Sequence, residues 1–330
     1  MPYYRYLVLV VVLSAAWMNR SDTAWSEQPT HTTKSAGDRQ RVEIPSSRDG
    51  RPQPCYVIVP KQLPSHPVPL LVSLHSWSGD VEQRNQSLEE ATIAKGWIYL
   101  FPHFRGANQS PEACGSELAQ QDILDAVTWA KKNYAIDESR TYLTGTSGGG
   151  HMTMLMAGRH PQVWAAASAW VGISDLAKWH EKHAAGRYGG MMRLSCGGAP
   201  GTSDEVDRQY RIRSPLTWLA NAKDVPLDIS AGVHDGHKGS VPIWHSLVAY
   251  NVVARANAAP VITDDEIAQL SGPNRRLVSP QDSDRVVDSN FGRTIYLRRQ
   301  AGLSRITIFE GGHEGITKAT IAWLEKHDRE

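Results

Sequence analysis

The stretch TYLTGTSGGGHMTMLMAGRH, residues 141–160, restricts the fold more than any other part of the chain. Its first half is an apolar strand pattern that runs to Ser147, and its second half returns at once to helical spacing. A strand can pass into a helix without a loop only through a very tight turn. Gly145, Gly148 and Gly149 remove the side chains that would clash in one. The serine at the centre of that turn takes a strained backbone, and its hydroxyl stands free at the end of the strand.

The rest of the chain repeats the same alternation. PLLVSLHS (69–76) is a near-continuous apolar run, as a strand buried on both faces requires. A helix closing at Gly96, the strand WIYLFPHF, and a helix from Ser116 with Leu118, Ile123, Val127 and Ala130 near helical spacing follow in order. After the central strand–turn–helix come WAAASAWVG and PLDISAGVHD as strands, a helix over 241–258, the strand SRITIFEGG and a last helix from Gly315. Strands separated by helices imply parallel βαβ units in a doubly wound, mostly parallel α/β sheet. Residues 41–60 read as an antiparallel hairpin ahead of it. Two stretches break the rhythm: an insertion at 173–225, and a polar, irregular run at 260–303 with a short helix at TDDEIAQL.

The predicted organisation is a signal peptide at 1–26, a disordered linker at 27–40 and one catalytic domain at 41–330. Arg5 followed by YLVLVVVLSAAWM has the length of a signal-peptide apolar region, with an uncleaved anchor as the alternative. Export to the periplasm or the medium follows, with no stable membrane association beyond that segment. Lys and Arg number 35 against 34 Asp and Glu, so charge offers no case for a nucleic-acid partner. Of the 3 cysteines, Cys55 sits in a strand pattern, which leaves Cys114 and Cys196 as the pair most open to a bridge in an oxidising compartment.

G-x-S-x-G between a strand and a helix is the context of a nucleophile elbow. The Gly148 amide, next along the chain from Ser147, points at a developing oxyanion. A serine needs a base and the base an orienting acid, in the chain order serine, acid, histidine on this type of sheet. Asp235 follows a later strand, and His313 sits among glycines after the last one. Asp228 lies at the wrong end of its strand, and Asp264 and Asp265 fall in the irregular run. His237 is a rival base, and His234 with His237 beside Asp235 lacks further ligands at metal spacing. HEKH at 180–183 lacks the metalloprotease spacing. The second oxyanion amide is placed on Trp77, with Ser76 as the alternative. His75, Trp77 and Trp170 are candidate substrate contacts, and Trp179 and Trp244 could also stack on sugar rings.

Together GTSGGG, LLVSLHSWSG, SAGVHDGHKGSVP and FEGGHEG resemble the α/β-hydrolase superfamily, in its prolyl-oligopeptidase-type (peptidase family S9) branch and its secreted bacterial esterase-like members. The resemblance implies serine-hydrolase chemistry on Ser147, Asp235 and His313 with no cofactor or metal. The sequence departs from the family at Ser76, where glycine is usual, and in a longer acid loop after Asp235. The expectation is a carboxylic-ester hydrolase acting on small-molecule or carbohydrate esters, such as acetyl or feruloyl esters. A serine peptidase acting on short peptides and a non-catalytic binding protein of the same fold are the alternatives.

Overall fold

The computed structural model describes residues 37–329. Within them lie the strands β1 (Arg39–Pro45), β2 (Pro52–Ile58), β3 (Val68–Leu74), β4 (Ile98–Pro102), β5 (Ile136–Thr146), β6 (Ala166–Trp170), β7 (Leu227–Gly232), β8 (Ile295–Ala301) and β9 (Ser304–Phe309). The helices are α1 (Gln86–Ala94), α2 (Glu117–Asn133), α3 (Gly148–Arg159), α4 (Leu176–His183), α5 (Arg187–Cys196), α6 (Asp204–Arg213), α7 (Trp244–Ala256), α8 (Asp264–Ser271) and α9 (Thr317–Leu324). The predicted signal segment and linker residues 27–36 lie outside the described residues, and the first strand starts at Arg39, just ahead of the predicted boundary. No helix among the described residues is long and apolar enough to cross a membrane.

The strands form one sheet of 9 in the order β1-β2-β4-β3-β5-β6-β7-β9-β8. From β4 to β9 the neighbours run parallel, while the β1–β2 hairpin and the edge strand β8 are antiparallel. Every residue of β3, β4, β6 and β7 is buried, which is why these segments read as apolar runs and not as alternation. Helices cover both faces. Leu70, Val72 and Leu74 pack with Ile123 of α2, Met154 of α3 and Leu247 of α7, whereas Leu71, Tyr99 and Tyr142 point the other way to Leu88 of α1 and Ile321 and Trp323 of α9. Truncating one of these leucines to alanine costs about 2–5 kcal/mol.

The predicted irregular run at 260–303 holds a strand that the pattern did not show. In β8, Ile295, Leu297 and Ala301 turn inward and are buried, but Arg298, Arg299 and Gln300 interrupt the apolar signal. Charge on an edge strand blocks pairing with further chains, and here it also hid the strand. The predicted insertion folds as α4, α5 and α6 with short 3-10 turns after them.

Candidate active site

In the parallel register Leu74 lies beside Gly145, Thr146 beside Trp170, and Gly232 beside Phe309. The loops after β3, β5, β7 and β9 therefore leave the sheet along one edge, where parallel sheets carry their sites. Ser147 occupies the turn between β5 and α3 with φ 63° and ψ −117°. That conformation costs on the order of 1–3 kcal/mol for a non-glycine residue. Its N–H donates to the Trp170 carbonyl at 2.9 Å, which ties the turn to the end of β6. Close approach explains two of the glycines. A Cβ on Gly149 would lie 2.3 Å from the Leu74 oxygen, and one on Gly148 would lie 2.2 Å from the Trp77 nitrogen.

The second contact brings two backbone amides close together. Gly148 opens α3, so its N–H has no partner within the helix. The adjacent Trp77 N–H has no acceptor among the described residues. The neighbouring Ser76 amide is already engaged: Gln83 Oε1 accepts from the Ser76 N–H at 3.0 Å and from its hydroxyl at 2.8 Å. Of the two predicted donors, Trp77 is thus the one left free. Gln83 was absent from the sequence reading because it belongs to no motif. Its one signal is the serine in the place where glycine is usual, a polar group that needs a partner when buried.

Asp235 follows β7 and is 1% exposed. Its Oδ1 accepts from the Gly236 N–H at 2.8 Å and the Val241 N–H at 3.2 Å, and its Oδ2 accepts from His313 Nδ1 at 2.7 Å. A carboxylate facing Nδ1 fixes the imidazole proton there and leaves Nε2 with its lone pair. His313 is partly open, with its side chain 26% exposed. The loop after it returns to the elbow: a Cβ on Gly315 would lie 2.8 Å from Thr146 Oγ1. Among the described residues no hydrogen bond joins Ser147 to His313, a contact that is often long in unliganded hydrolases. Below the elbow, a cavity of about 420 Å³ is lined by Gln83, Thr146, Trp170 and Gly315.

The rivals are elsewhere. Asp228 is buried at the amino end of β7 and accepts from Arg305 Nε at 2.7 Å. Asp264 and Asp265 are exposed on the first turn of α8. His237 is exposed, and His234 Nε2 meets Glu310 at 2.5 Å. No cluster of three or more potential metal ligands occurs among the described residues.

Three predicted substrate contacts need correction. His75, Trp77 and Trp170 are each 1% exposed. His75 stacks on Phe104 at 3.8 Å, and burial pushes its pKa down to about 4. Trp77 packs its edge against Trp179 at 4.7 Å, and Trp170 meets Phe309 at 5.8 Å. Their side chains pack in the wall behind the elbow, and Trp170 borders the cavity below it.

The predicted Cys114–Cys196 bridge is also absent. All 3 cysteines are buried free thiols, and Cys114 and Cys196 pack in one apolar cluster with Met191 and Met192. Burial raises the Cys114 pKa to about 11, so its thiol is inert. The tether falls to Arg213 of α6, whose guanidinium donates to the carbonyls of Pro111 at 2.9 Å, Ala113 at 2.7 Å and Cys114 at 3.3 Å. The insertion also clamps the acid loop. Trp179 Nε1 and His183 Nε2 reach the Ser240 carbonyl at 2.9 and 2.7 Å, and Lys182 Nζ donates to the Gly236 carbonyl at 2.6 Å.

Sheet order, elbow and acid–histidine pair define an α/β-hydrolase fold. The profile of the prolyl oligopeptidase family (Peptidase_S9) matches residues 84–263, more than half of the 330 residues, and the chain belongs to that family. The chain is 31% identical over 202 residues to acetylxylan esterase A of Emericella nidulans, covering 58% of this chain and 59% of that protein. It is 26% identical over 214 residues to feruloyl esterase B of Talaromyces stipitatus, covering 60% and 52%. The chain spans about half the length of the curated relatives it matches. Among solved structures, the acylaminoacyl peptidase of Pyrococcus horikoshii superposes with a TM-score of 0.56 at 17% identity, over 69% of this chain and 36% of that one. A puromycin-hydrolysing peptidase of Mycobacterium tuberculosis gives 0.56 at 18% identity, over 91% and 39%. At these identities the structures share the fold alone.

Proposed function

We propose that this hydrolase cleaves carboxylic esters through an acyl-enzyme on Ser147, and that its substrates are acetyl or feruloyl-type esters of carbohydrates. The observation that carries the chemistry is the 2.7 Å bond from His313 Nδ1 to buried Asp235, on the same sheet edge as the elbow serine. The esterase names of the sequence relatives support the substrate class.

The steps follow from the atoms present. His313 Nε2 takes the Ser147 proton as Oγ attacks the ester carbonyl. The N–H groups of Gly148 and Trp77 receive the tetrahedral oxyanion, and losing one such donor costs about 2.7–4 kcal/mol of barrier. Asp235 holds the tautomer and stabilises the imidazolium. His313 then protonates the departing alkoxide, and the same histidine activates water to release the acid. The apolar segment after Arg5 supports export, where polymeric substrates are met.

Purified protein should hydrolyse 4-nitrophenyl acetate, release acetate from acetylated xylan or ferulate from methyl ferulate, and take up a fluorophosphonate on Ser147. Labelling of Ser147 with hydrolysis of a proline 4-nitroanilide and of no ester would replace this reading with a peptidase.

A further inference from the structure

The segment from 276 to 296, which the triad does not use, encloses a cleft of about 680 Å³. That is within the range of small-molecule sites. Its floor is apolar, with Leu277 and Ile295 buried and Val287 99% exposed at the rim. Three arginines, Arg276, Arg285 and Arg293, line it. The aspartates in its wall are already matched. Asp288 accepts from Arg298 at 2.9 Å, and buried Asp284 pairs with Arg299 and accepts from the Arg298 N–H at 2.9 Å.

The arginines are not equivalent. Arg293 donates to both oxygens of Glu314 at 2.7 and 2.9 Å, and Arg276 lies 3.4 Å over the Tyr296 ring while reaching Glu310 at 3.4 Å. Arg285 is exposed, and its guanidinium makes no hydrogen bond or ion pair among the described residues. An unengaged guanidinium at the rim of an apolar cleft, with two more beside it, suits a ligand with an apolar body and one carboxylate. The planar fork takes a carboxylate on two N–H groups, and its faces stack on aromatic rings. The place matters as much as the charge. Glu310 and Glu314 bracket His313 in sequence, and Glu314 Oε1 also accepts from the Gly312 N–H at 3.1 Å. The cleft thus abuts the loop that carries the histidine.

We infer that this arginine-lined cleft binds the carboxylate of an amphipathic organic acid, and that it holds an acidic arm of the ester substrate beside the His313 loop. The second half rests on the esterase reading; the binding does not. The probe pair is 3-phenylpropionate and its neutral isostere 3-phenylpropanamide, titrated calorimetrically into the full chain. Wild type should bind the acid about tenfold or more tightly than the amide. Arg285→Ala should bring the ratio to within about threefold, and Arg285→Lys should keep part of the preference, with melting temperatures unchanged. Equal binding of acid and amide by wild type, or a preference that survives Arg285→Ala, overturns the site. The acid should also inhibit 4-nitrophenyl acetate turnover with a Ki equal to its Kd, and Arg285→Ala should raise both together. Binding without inhibition removes the cleft from the substrate path. Preferential binding by a protein that cleaves no ester keeps the site and removes the esterase reading.

Discussion

The two ends of β7 each carry a buried aspartate, and their partners divide the molecule. At the amino end Asp228 is 0% exposed, meets Arg305 at 2.7 Å and accepts from Ser168 Oγ at 3.2 Å. At the carboxyl end Asp235 is 1% exposed and meets His313 at 2.7 Å. Arginine keeps its proton throughout the working pH range, so the first pair is a fixed ionic tie. A histidine held through Nδ1 by a carboxylate keeps its other ring nitrogen as a free base, so the second pair can take up a proton and hand it on. The lesson is that burial and a short bond to a base do not make an acid catalytic. What matters is whether the partner keeps a free basic nitrogen and whether it faces a loop edge where a substrate can arrive.

Four measurements can break or sharpen that contrast. The largest effect belongs to the elbow hydroxyl at the carboxyl edge. Ser147→Ala should lower kcat by roughly 10⁴–10⁶ and end fluorophosphonate labelling, with a melting temperature at or slightly above wild type. Turnover near wild type would remove the nucleophile.

Next comes the pair of aspartates itself. Asp235→Asn should lower kcat by about 10⁴, because an amide lets the imidazole take the wrong tautomer. Asp228→Asn should leave kcat within a few-fold and instead cost about 3 kcal/mol of stability, since it strands Arg305 half-buried. For a domain of this size that is a fall of roughly 6–12 °C in Tm. If both variants lost kcat alike, the two ends of β7 would not differ as argued.

A smaller effect is assigned to Gln83, which acts through Ser76. Gln83→Ala should lower kcat by about 10–100-fold with little change in KM, because an oxyanion donor works in the transition state. Gln83→Glu, which keeps the acceptor, should restore much of it. A change in KM alone would make Gln83 a binding residue and not a positioning one.

The smallest effect concerns pH. Burial holds His75 and His151, both behind the carboxyl edge, neutral with pKa values of about 4. Unfolded, each titrates near 6.5. Their folded pKa is therefore depressed: stability is complete above the unfolded value and is lost as pH falls from about 6.5 towards 4. Between pH 7 and pH 6 each should cost about 0.7 kcal/mol, seen as a drop in Tm of a few degrees. His151→Gln should shrink the drop, and an unchanged Tm from pH 7 to pH 6 would contradict the burial argument.

The layout of the fold was legible in the sequence for a local cause. Ser147, Asp235 and His313 each directly follow or closely trail a strand, and the strands β3, β5, β6, β7 and β9 announce themselves as apolar runs. Once the alternation makes the sheet parallel, chain order alone says which ends share an edge. The failures are contacts between segments distant in sequence. β8 was masked by Arg298 and Arg299, whose acidic partners Asp288, Asp284 and Glu266 come from other segments. A bridge between Cys114 and Cys196 was plausible from loop positions, but Arg213 of α6 makes the tether through carbonyls. Trp77 and Trp170 could be walls or faces on position alone; that α4 brings Trp179 against Trp77 decided it.

The sequence by itself determined the layered α/β architecture, the elbow and the order of serine, acid and histidine, because strand and helix periodicity and steric limits on a tight turn are properties of neighbouring residues. Tertiary structure alone decided which backbone amide is left without an acceptor and which aspartate faces a histidine. It also decided which arginine stands unpaired in a cleft. Each of these depends on a partner brought from far along the chain, and hydrogen-bond satisfaction in a closed interior is a property of the whole packing.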